Sequence, residues 1–272
     1  MYADLEYTGK TSEEFVQEKK EVKMTFYLII AAVVLVFSGL TAMAGIGAAF
    51  LFVPLFYYMG IPLSEATPAA LLLNTVSLLM AAISYWRGGL INWRIGLPVL
   101  IAAVILSPLG AMLTQVVDKK ILLGMFTAFL VFAGSMMLFY RQKKRSEPLG
   151  RKTELGAGTG VGAVAGFLGG LLGVGGGNFI LPVLNWIGLE TKVAAATTSI
   201  VVVFSSFSGF LGHMSLGKMN PVFLVVSSIA AATGSIIGSW LMQKKVSGKQ
   251  LKKIIGVLLF VIAAKMAFDL FK

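Results

Sequence analysis

The sequence predicts an all-α integral membrane protein made of two homologous halves, each with four apolar segments. Of its 272 residues, 57% are apolar or aromatic and only 13% are charged, whereas soluble domains carry about 25% charged residues. The charges cluster between apolar runs long enough to cross a bilayer, and the second half of the chain repeats the pattern of the first. These observations exclude a soluble globular enzyme, a disordered chain and a nucleic-acid-binding protein with a basic patch on a folded surface.

The net charge and the counts of cysteine and histidine agree with a membrane protein. A net charge of +11 is typical of a multi-pass membrane protein, because Lys and Arg are enriched in cytoplasmic loops. The chain has no cysteine and a single histidine, which excludes disulfides, thiolate metal sites and iron–sulfur clusters. We therefore expect no metal, no cofactor and no nucleic-acid partner, and a lipid bilayer as the surrounding medium.

Composition and repetition divide the chain into four regions. Residues 1–24 form a polar extension whose acidic residues exclude a signal peptide, and Thr11 to Glu14 fit a capping box for a short polar helix. Residues 25–140 form the first transmembrane repeat, residues 141–153 a basic linker and residues 154–272 the second repeat.

Eight apolar segments can be delimited within the repeats. A span needs about 20 apolar residues, and six segments have this ordinary length. The first and fifth contain 34 and 33 residues, and an unbroken helix of that length would be about 50 Å long. The segments are Phe26 to Met59, Ser64 to Trp86, Ile95 to Val117, Lys120 to Tyr140, Leu155 to Ile187, Val193 to Gly212, Asn220 to Met242, and Leu251 to Phe271.

Both over-long segments contain natural break points. Glycines interrupt them at Gly45 to Gly47 and at Gly173 to Gly177, and Pro54 and Pro182 each follow seven residues after the last glycine of a Gly-x-Gly. Glycine frees the backbone and proline cannot continue a helical hydrogen-bond ladder. We expect each segment to form two helices joined by a non-helical turn that is buried in protein or lines a cavity.

The match between the halves is a single constant shift along the chain and requires no gap. Polar, glycine and proline matches matter most, because apolar matches arise easily in such a composition. The shift superposes Gly45 on Gly173, Gly47 on Gly175, Pro54 on Pro182, Ser77 on Ser205, Asn92 on Asn220, Ser107 on Ser235 and Gly110 on Gly238. The chain therefore arose by duplication.

The orientation of the two halves depends on the broken segments. Full crossings give four spans per half and parallel halves, whereas re-entrant hairpins give three spans and inverted halves. Segment length favours hairpins in the first and fifth segments. Hairpins also place the two most basic loops, Arg141 to Lys152 and Lys244 to Lys253, on one side of the membrane. We predict inverted repeats.

The glycine turns are the first candidate for a binding site. A helix that starts after such a turn offers unpaired N–H groups and about half a positive charge, and transporters direct such ends at anionic substrate groups. The candidate binding residues of the two turns are therefore Gly45, Gly47, Gly175, Gly176 and Gly177. The alternative is that these glycines only allow close helix packing.

Polar side chains in the neighbouring segments are the second candidate. Asn74 and Asn178 are the most informative, because an amide in hydrocarbon needs hydrogen-bond partners. Thr197, Thr198 and Ser199 follow early in the sixth segment. The alternative for each hydroxyl is hydrogen bonding between helices. Charged residues are nearly absent from the segments, which argues against a cation channel.

The single histidine has two interpretations. His213 could titrate near neutral pH and couple transport to protons, or it could be a loop residue at the membrane interface. An intramembrane hydrolase with Ser205 or Ser208 as its nucleophile and His213 as base is the enzyme alternative, although no oxyanion motif accompanies these residues.

The paired glycine–proline motifs resemble those of the TauE/SafE sulfite exporter family, also called toluene sulfonate uptake permeases. The resemblance is carried by GLLGVGGGNFILPVLNWIGLETKVAAATTS from Gly170 to Ser199 and AGIGAAFLFVPLFYYMGIPLSEATPAALLLN from Ala44 to Asn74. The first turn departs from the pattern, with Ala48 and Ala49 where the second has Gly176 and Gly177. Membership implies transport of sulfite, sulfoacetate or other organosulfonates.

The functional expectation is a secondary transporter for a small sulfur-containing anion, and not an enzyme. It would reside in a cell membrane, such as a bacterial inner or plasma membrane, and work by alternating access. An anion channel is the alternative from another class.

Overall fold

The computed structural model describes residues 12–114, 116–139, 150–213, 221–243 and 248–270. Within these ranges the chain is all α-helical, as predicted, and contains no strand. Its helices are α1 (Ser12–Ala44), α2 (Ala49–Tyr58), α3 (Leu63–Arg87), α4 (Trp93–Leu113), α5 (Lys119–Phe139), α6 (Arg151–Leu172), α7 (Gly177–Ile187), α8 (Thr191–His213), α9 (Pro221–Gln243) and α10 (Gly248–Leu270).

The predicted breaks in the two long segments are confirmed. α1 ends at Ala44 before α2, and α6 ends at Leu172 before α7. Glycines with positive φ form both turns, with 67° at Gly45, 80° at Gly47 and 73° at Gly176. Other residues adopt this left-handed conformation at a cost, so the glycines determine where each helix stops.

Two boundaries differ from the sequence-based expectation. α1 is continuous from Ser12 to Ala44, so the expected short polar helix is an extension of the first membrane helix, while Thr11 lies outside the described residues. α6 begins at Arg151, within the segment assigned to the linker. Residues 141–149 of that linker also lie outside the described residues.

Six helices of the described chain are long and apolar enough to cross a membrane. They are α3, α4, α5, α6, α8 and the Pro221–Leu241 part of α9. Leu97, Ile101 and Ile105 show how such a helix meets lipid, since they are exposed at every fourth position of α4. The apolar part of α1 (Tyr27–Ala42) and helices α2 and α7 are shorter.

The two halves interlock through helices that contain glycine. α4 of the first half packs on α6 of the second, with Gly162 against Val99 and Gly170 against Ser107. α9 of the second half packs in the same way on α1 of the first. A side chain at these glycines would collide with the backbone of the facing helix, so the small residues permit the close approach.

Pairwise contacts give the relative directions of the helices. In the α4–α6 contact just described, residue numbers rise together, so these helices are parallel. α4 and α8 are also parallel, because Gly96 meets Thr197 and Pro108 meets Gly212. α6 and α8 therefore run in the same direction, and α7 between them must return the chain to the side on which α6 begins.

The same reversal is visible at the turn itself. Gly176 lies against the carbonyl oxygen of Ala165, eleven residues earlier. On one continuous helix these residues would be about 16 Å apart. The α6–α7 pair is therefore a hairpin, as segment length predicted.

α3 and α8, which occupy equivalent places in the two halves, are antiparallel. Leu71 contacts Gly209, and Asn74 is hydrogen-bonded to Ser206 farther along α3. Tyr85, near the end of α3, clusters with Ala196 near the start of α8. Equivalent helices of the two halves thus cross in opposite directions at the centre of the protein.

Equivalent hydrogen bonds occur on both sides of this crossing. The Ser107 hydroxyl on α4 donates to the carbonyl oxygen of Ser205 at 2.7 Å, and the Ser235 hydroxyl on α9 donates to that of Ser77. Each residue of the second bond is related to one in the first by the constant shift between the halves. α2 and α7 lie in the buried centre, where Phe50, Leu51 and Phe52 are fully enclosed.

Candidate functional site

The two glycine turns, far apart in sequence, meet in the centre of the protein. Gly177, at the start of α7, lies against the carbonyl oxygen of Ile46 in the first turn. Gly175 lies against the amide of Asn74 and the hydroxyl of Ser206. The fold therefore brings the amino ends of α2 and α7 into one buried region.

Asn74 caps the amino end of α2 from a neighbouring helix. Its side-chain Oδ1 accepts from the Ala48 N–H at 2.7 Å and from the Ala49 N–H at 3.2 Å, while Nδ2 donates to Ser206 Oγ at 2.9 Å. The residue is fully buried. Because a Cβ on Gly47 would occupy the space of this amide, only glycine at that position leaves room for the cap.

Asn178 is in the opposite situation at the start of α7. It is 3% exposed, and neither Oδ1 nor Nδ2 has a hydrogen-bond partner among the described residues. It lines a narrow cavity together with Ile46 of the first turn, Met137 of α5 and Asn185. The N-cap of α7 is Gly176, which has no side chain to cap the helix. A buried amide without partners is costly, which makes this the best place for a polar ligand.

Asn185 was missed by the sequence analysis. It lies seven residues after Asn178, two turns along the same face of α7, and is 6% exposed. The spacing of seven was a usable signal, because residues i and i+7 share a helix face. The two amides place the polar lining of the cavity on a single short helix.

The hydroxyl residues at the start of α8 point to different neighbours. Ser199 donates to the carbonyl oxygen of Gly45 at 3.3 Å and to that of Ala195 at 2.8 Å, so it belongs to the first turn. Thr198 is buried and its hydroxyl has no partner among the described residues. Thr197 instead accepts from the Asn92 N–H at the start of α4 at 3.0 Å, so the structure places it in a helix–helix contact.

His213 does not lie in an interfacial loop. It is the last residue of α8, is 1% exposed, and its Nε2 lies 2.8 Å from the carbonyl oxygen of Gly170. Fourteen residues separate His213 from Ser199, about 21 Å along the helix axis, so it is remote from the first turn.

Buried charge does not contribute to this region. The buried polar side chains of the described chain are Ser, Thr, Asn and His, with no carboxylate, Lys or Arg among them. The described residues also contain no cluster of three or more His, Cys, Asp or Glu that could hold a metal ion. An anion in this region would be held by backbone N–H groups, amides and hydroxyls.

Comparison with known proteins identifies the family. The family model described as "Sulfite exporter TauE/SafE" matches residues 29–266, which is most of the chain. The chain belongs to the sulfite exporter TauE/SafE family. It is thus a multi-pass membrane protein of a transporter family, as its helices and its relatives agree.

The relatives carry names consistent with this family. Probable membrane transporter protein YunE of Bacillus subtilis (strain 168) is 22% identical over 269 residues, covering 89% of this chain and 98% of the relative. Probable membrane transporter protein MJ0441 of Methanocaldococcus jannaschii is 25% identical over 267 residues, covering 90% and 98%. Sulfite exporter TauE/SafE family protein 5 of Arabidopsis thaliana is 38% identical over 84 residues, only 31% of this chain and 19% of that protein.

Proposed function

We propose that this chain is a secondary transporter for a small sulfur-containing anion such as sulfite, sulfoacetate or another organosulfonate. The observation that carries the proposal is the buried amide of Asn178 at the start of α7, which has no hydrogen-bond partner among the described residues and lies beside the contact between the two turns. The positive end of a helix attracts an anion. The Asn178 Nδ2 would donate to one further oxygen.

The electrostatics support a monoanion or dianion with hydrogen-bond acceptors on its surface. The described interior has no buried carboxylate to repel an anion and no buried Lys or Arg to hold it permanently. Binding by dipoles and neutral donors is weaker than binding by full charges, which suits a transporter that must release its substrate. The Gly45 to Gly47 turn, Ser199 and Thr198 would complete the surroundings of the pathway.

The helix directions support alternating access by inverted repeats. α3 and α8 are equivalent by sequence and antiparallel in space, as an in-plane two-fold axis requires. Because α4 packs on α6 and α9 packs on α1, each moving body would contain helices from both halves. The substrate would then be exposed first to one side of a cell membrane and then to the other, without covalent chemistry.

Proton coupling through His213 is part of the proposal. The residue lies in the protein interior rather than in a loop, and imidazole is the side chain that changes charge near neutral pH. Its partner is a backbone carbonyl on α6, a helix of the second glycine turn. Protonation there would therefore act on the hairpin that carries Asn178.

Uptake into proteoliposomes tests the function. We expect saturable uptake of radiolabelled sulfite or sulfoacetate that changes with an imposed pH gradient. Asn178→Leu should reduce uptake at least tenfold, whereas Thr233→Val, on an exposed face of α9 where Thr233 bonds only its own helix, should not. Absence of flux for both anions in the wild-type protein would refute the proposal, and flux that never saturates would indicate a channel.

A further inference from the structure

We infer that the two turns are not equivalent: the chain binds one anion, at the start of α7, and the Asn74 amide permanently fills the corresponding position at the start of α2. This inference rests on the proposed function and specifies where its substrate binds. It follows from comparing each position of one half with its equivalent in the other, under the shift that superposes Gly45 on Gly173.

The two turns have different side chains beside them. Gly47 lies against Asn74. At the equivalent Gly175 the nearest groups are the Asn74 amide and the Ser206 hydroxyl, and Val202 Cγ1 is 3.3 Å from where a glycine Cβ would stand. Asn74 and Val202 are themselves related by the same shift. Val202 thus lies beside the second turn as Asn74 lies beside the first, but the valine side chain has neither a donor nor an acceptor.

The first turns of the two short helices, α2 and α7, carry different side chains. Asn178 of α7 corresponds to Phe50 of α2, which is fully buried. In the first half the polar side chain, Asn74, is thus on the long helix α3, and a phenyl ring lies on the short helix α2. In the second half the polar side chain, Asn178, is on the short helix α7, and its Oδ1 and Nδ2 have no partner among the described residues.

Asn74 satisfies the amino end of α2 with an oxygen acceptor. The Asn74 Oδ1 accepts from two consecutive N–H groups, those of Ala48 and Ala49. A sulfonate or sulfite oxygen at a helix amino end would accept from the same kind of donors. The amide oxygen of Asn74 therefore stands in for a substrate oxygen at α2, and α7 is the end where that acceptor has to be supplied by a ligand.

The cap at α2 is held in place from the other half. Asn74 Nδ2 donates to Ser206 Oγ on α8 at 2.9 Å, so displacing the cap would break contacts on both sides of the central crossing. A substrate anion would have to replace three hydrogen bonds to enter the first site. This makes one bound anion per chain the expected stoichiometry.

Moving the cap to the second half gives the decisive experiment. Val202→Asn places an amide where Asn74 stands in the other half, so its oxygen should occupy the α7 end. Val202→Ala at the same position provides no acceptor and is the matched control. We expect isothermal titration with sulfoacetate and sulfite to give one site in the wild-type protein, at least tenfold weaker binding in Val202→Asn, and binding within threefold of wild type in Val202→Ala.

A second pair of variants covers the case in which Val202→Asn does not fold. Asn178→Leu should weaken binding at least tenfold, whereas Phe50→Leu, its equivalent in the first half, should bind like the wild type. Two equal sites in the wild-type protein, or unchanged binding in folded Val202→Asn or in Asn178→Leu, would overturn the inference while leaving transport itself intact. Wild-type protein that neither binds nor transports either anion would refute the proposed function as well.

Discussion

Replacing Asn74 by valine should loosen the junction between the two halves. The side chain joins α3 to the amino end of α2 through the Ala48 and Ala49 N–H groups, and to α8 through Ser206. Valine is the residue that the second half has at the equivalent position, Val202, so its shape is compatible with such a turn. The substitution therefore removes the hydrogen bonds while changing the packing little.

The expected loss of stability can be worked out bond by bond. Removing a helix N-cap costs about 1 kcal/mol and up to about 2 kcal/mol, and the value should be near the upper end because water cannot replace the amide at this buried place. A hydrogen bond between membrane helices contributes about 0.6 kcal/mol, which applies to the bond with Ser206. We expect Asn74→Val to lower the free energy of unfolding by about 2–3 kcal/mol.

Unfolding in mixed detergent micelles, followed by far-ultraviolet circular dichroism, measures this loss. Thr75→Val is the matched control, because the adjacent hydroxyl bonds only to Leu71 of its own helix. A double-mutant cycle with Ser206→Ala should give a coupling energy of about 0.6 kcal/mol and leave the larger part of the loss to the α2 cap. If Asn74→Val cost no more than Thr75→Val, the cap would not stabilise α2 and the reasoning would be wrong.

Three further perturbations test other parts of the structure. Gly110→Ala places a methyl group against the backbone of Phe167 and should destabilise the protein by about 1–3 kcal/mol. Gly124→Ala is the control, because there is open space around Gly124, and it should not lower stability. Equal melting temperatures for the two variants would contradict the close α4–α6 contact. Gly176→Ala should lower the free energy of unfolding by about 1–2 kcal/mol because Gly176 has a φ of 73°, which costs alanine that much. The yield of folded protein in fluorescence-detected gel filtration should therefore fall. A normal yield would show that the turn tolerates a side chain. His213→Gln keeps a group that can donate to the backbone carbonyl and should preserve saturable uptake while flattening its dependence on pH; an unchanged pH profile would exclude the histidine from proton coupling.

The breaks and the duplication could be predicted because their signals are local or periodic. Glycine and proline act on the backbone where they stand, so Gly45 to Gly47 and Gly173 to Gly177 were sufficient to place both turns. The constant shift that relates the two halves can likewise be found in the sequence without any knowledge of contacts. The end of α1 and the start of α7 follow from residue types alone.

The different states of the two central amides could not be predicted in this way. Asn74 and Asn178 both indicated a need for partners, but the partners of Asn74 lie 26 and 132 residues away. Only the packing shows that both polar atoms of the Asn74 amide are hydrogen-bonded, whereas those of Asn178 have no partner among the described residues. Thr197 and Ser199 are two residues apart in α8 and project about 200° apart around its axis, so Thr197 faces α4 while Ser199 faces the first turn.

The exchange of helices between the halves bears on how such a chain is made and how it arose. During synthesis the contacts of α1 and α3 with α9 can form only late, because α3 ends at Arg87 and α9 begins at Pro221. A single half-length copy would lack the helix of the other half on which its fourth helix packs here. Two half-length copies, in which the fourth helix of each packs on the first helix of the other, would make the same contacts as the two halves of this chain.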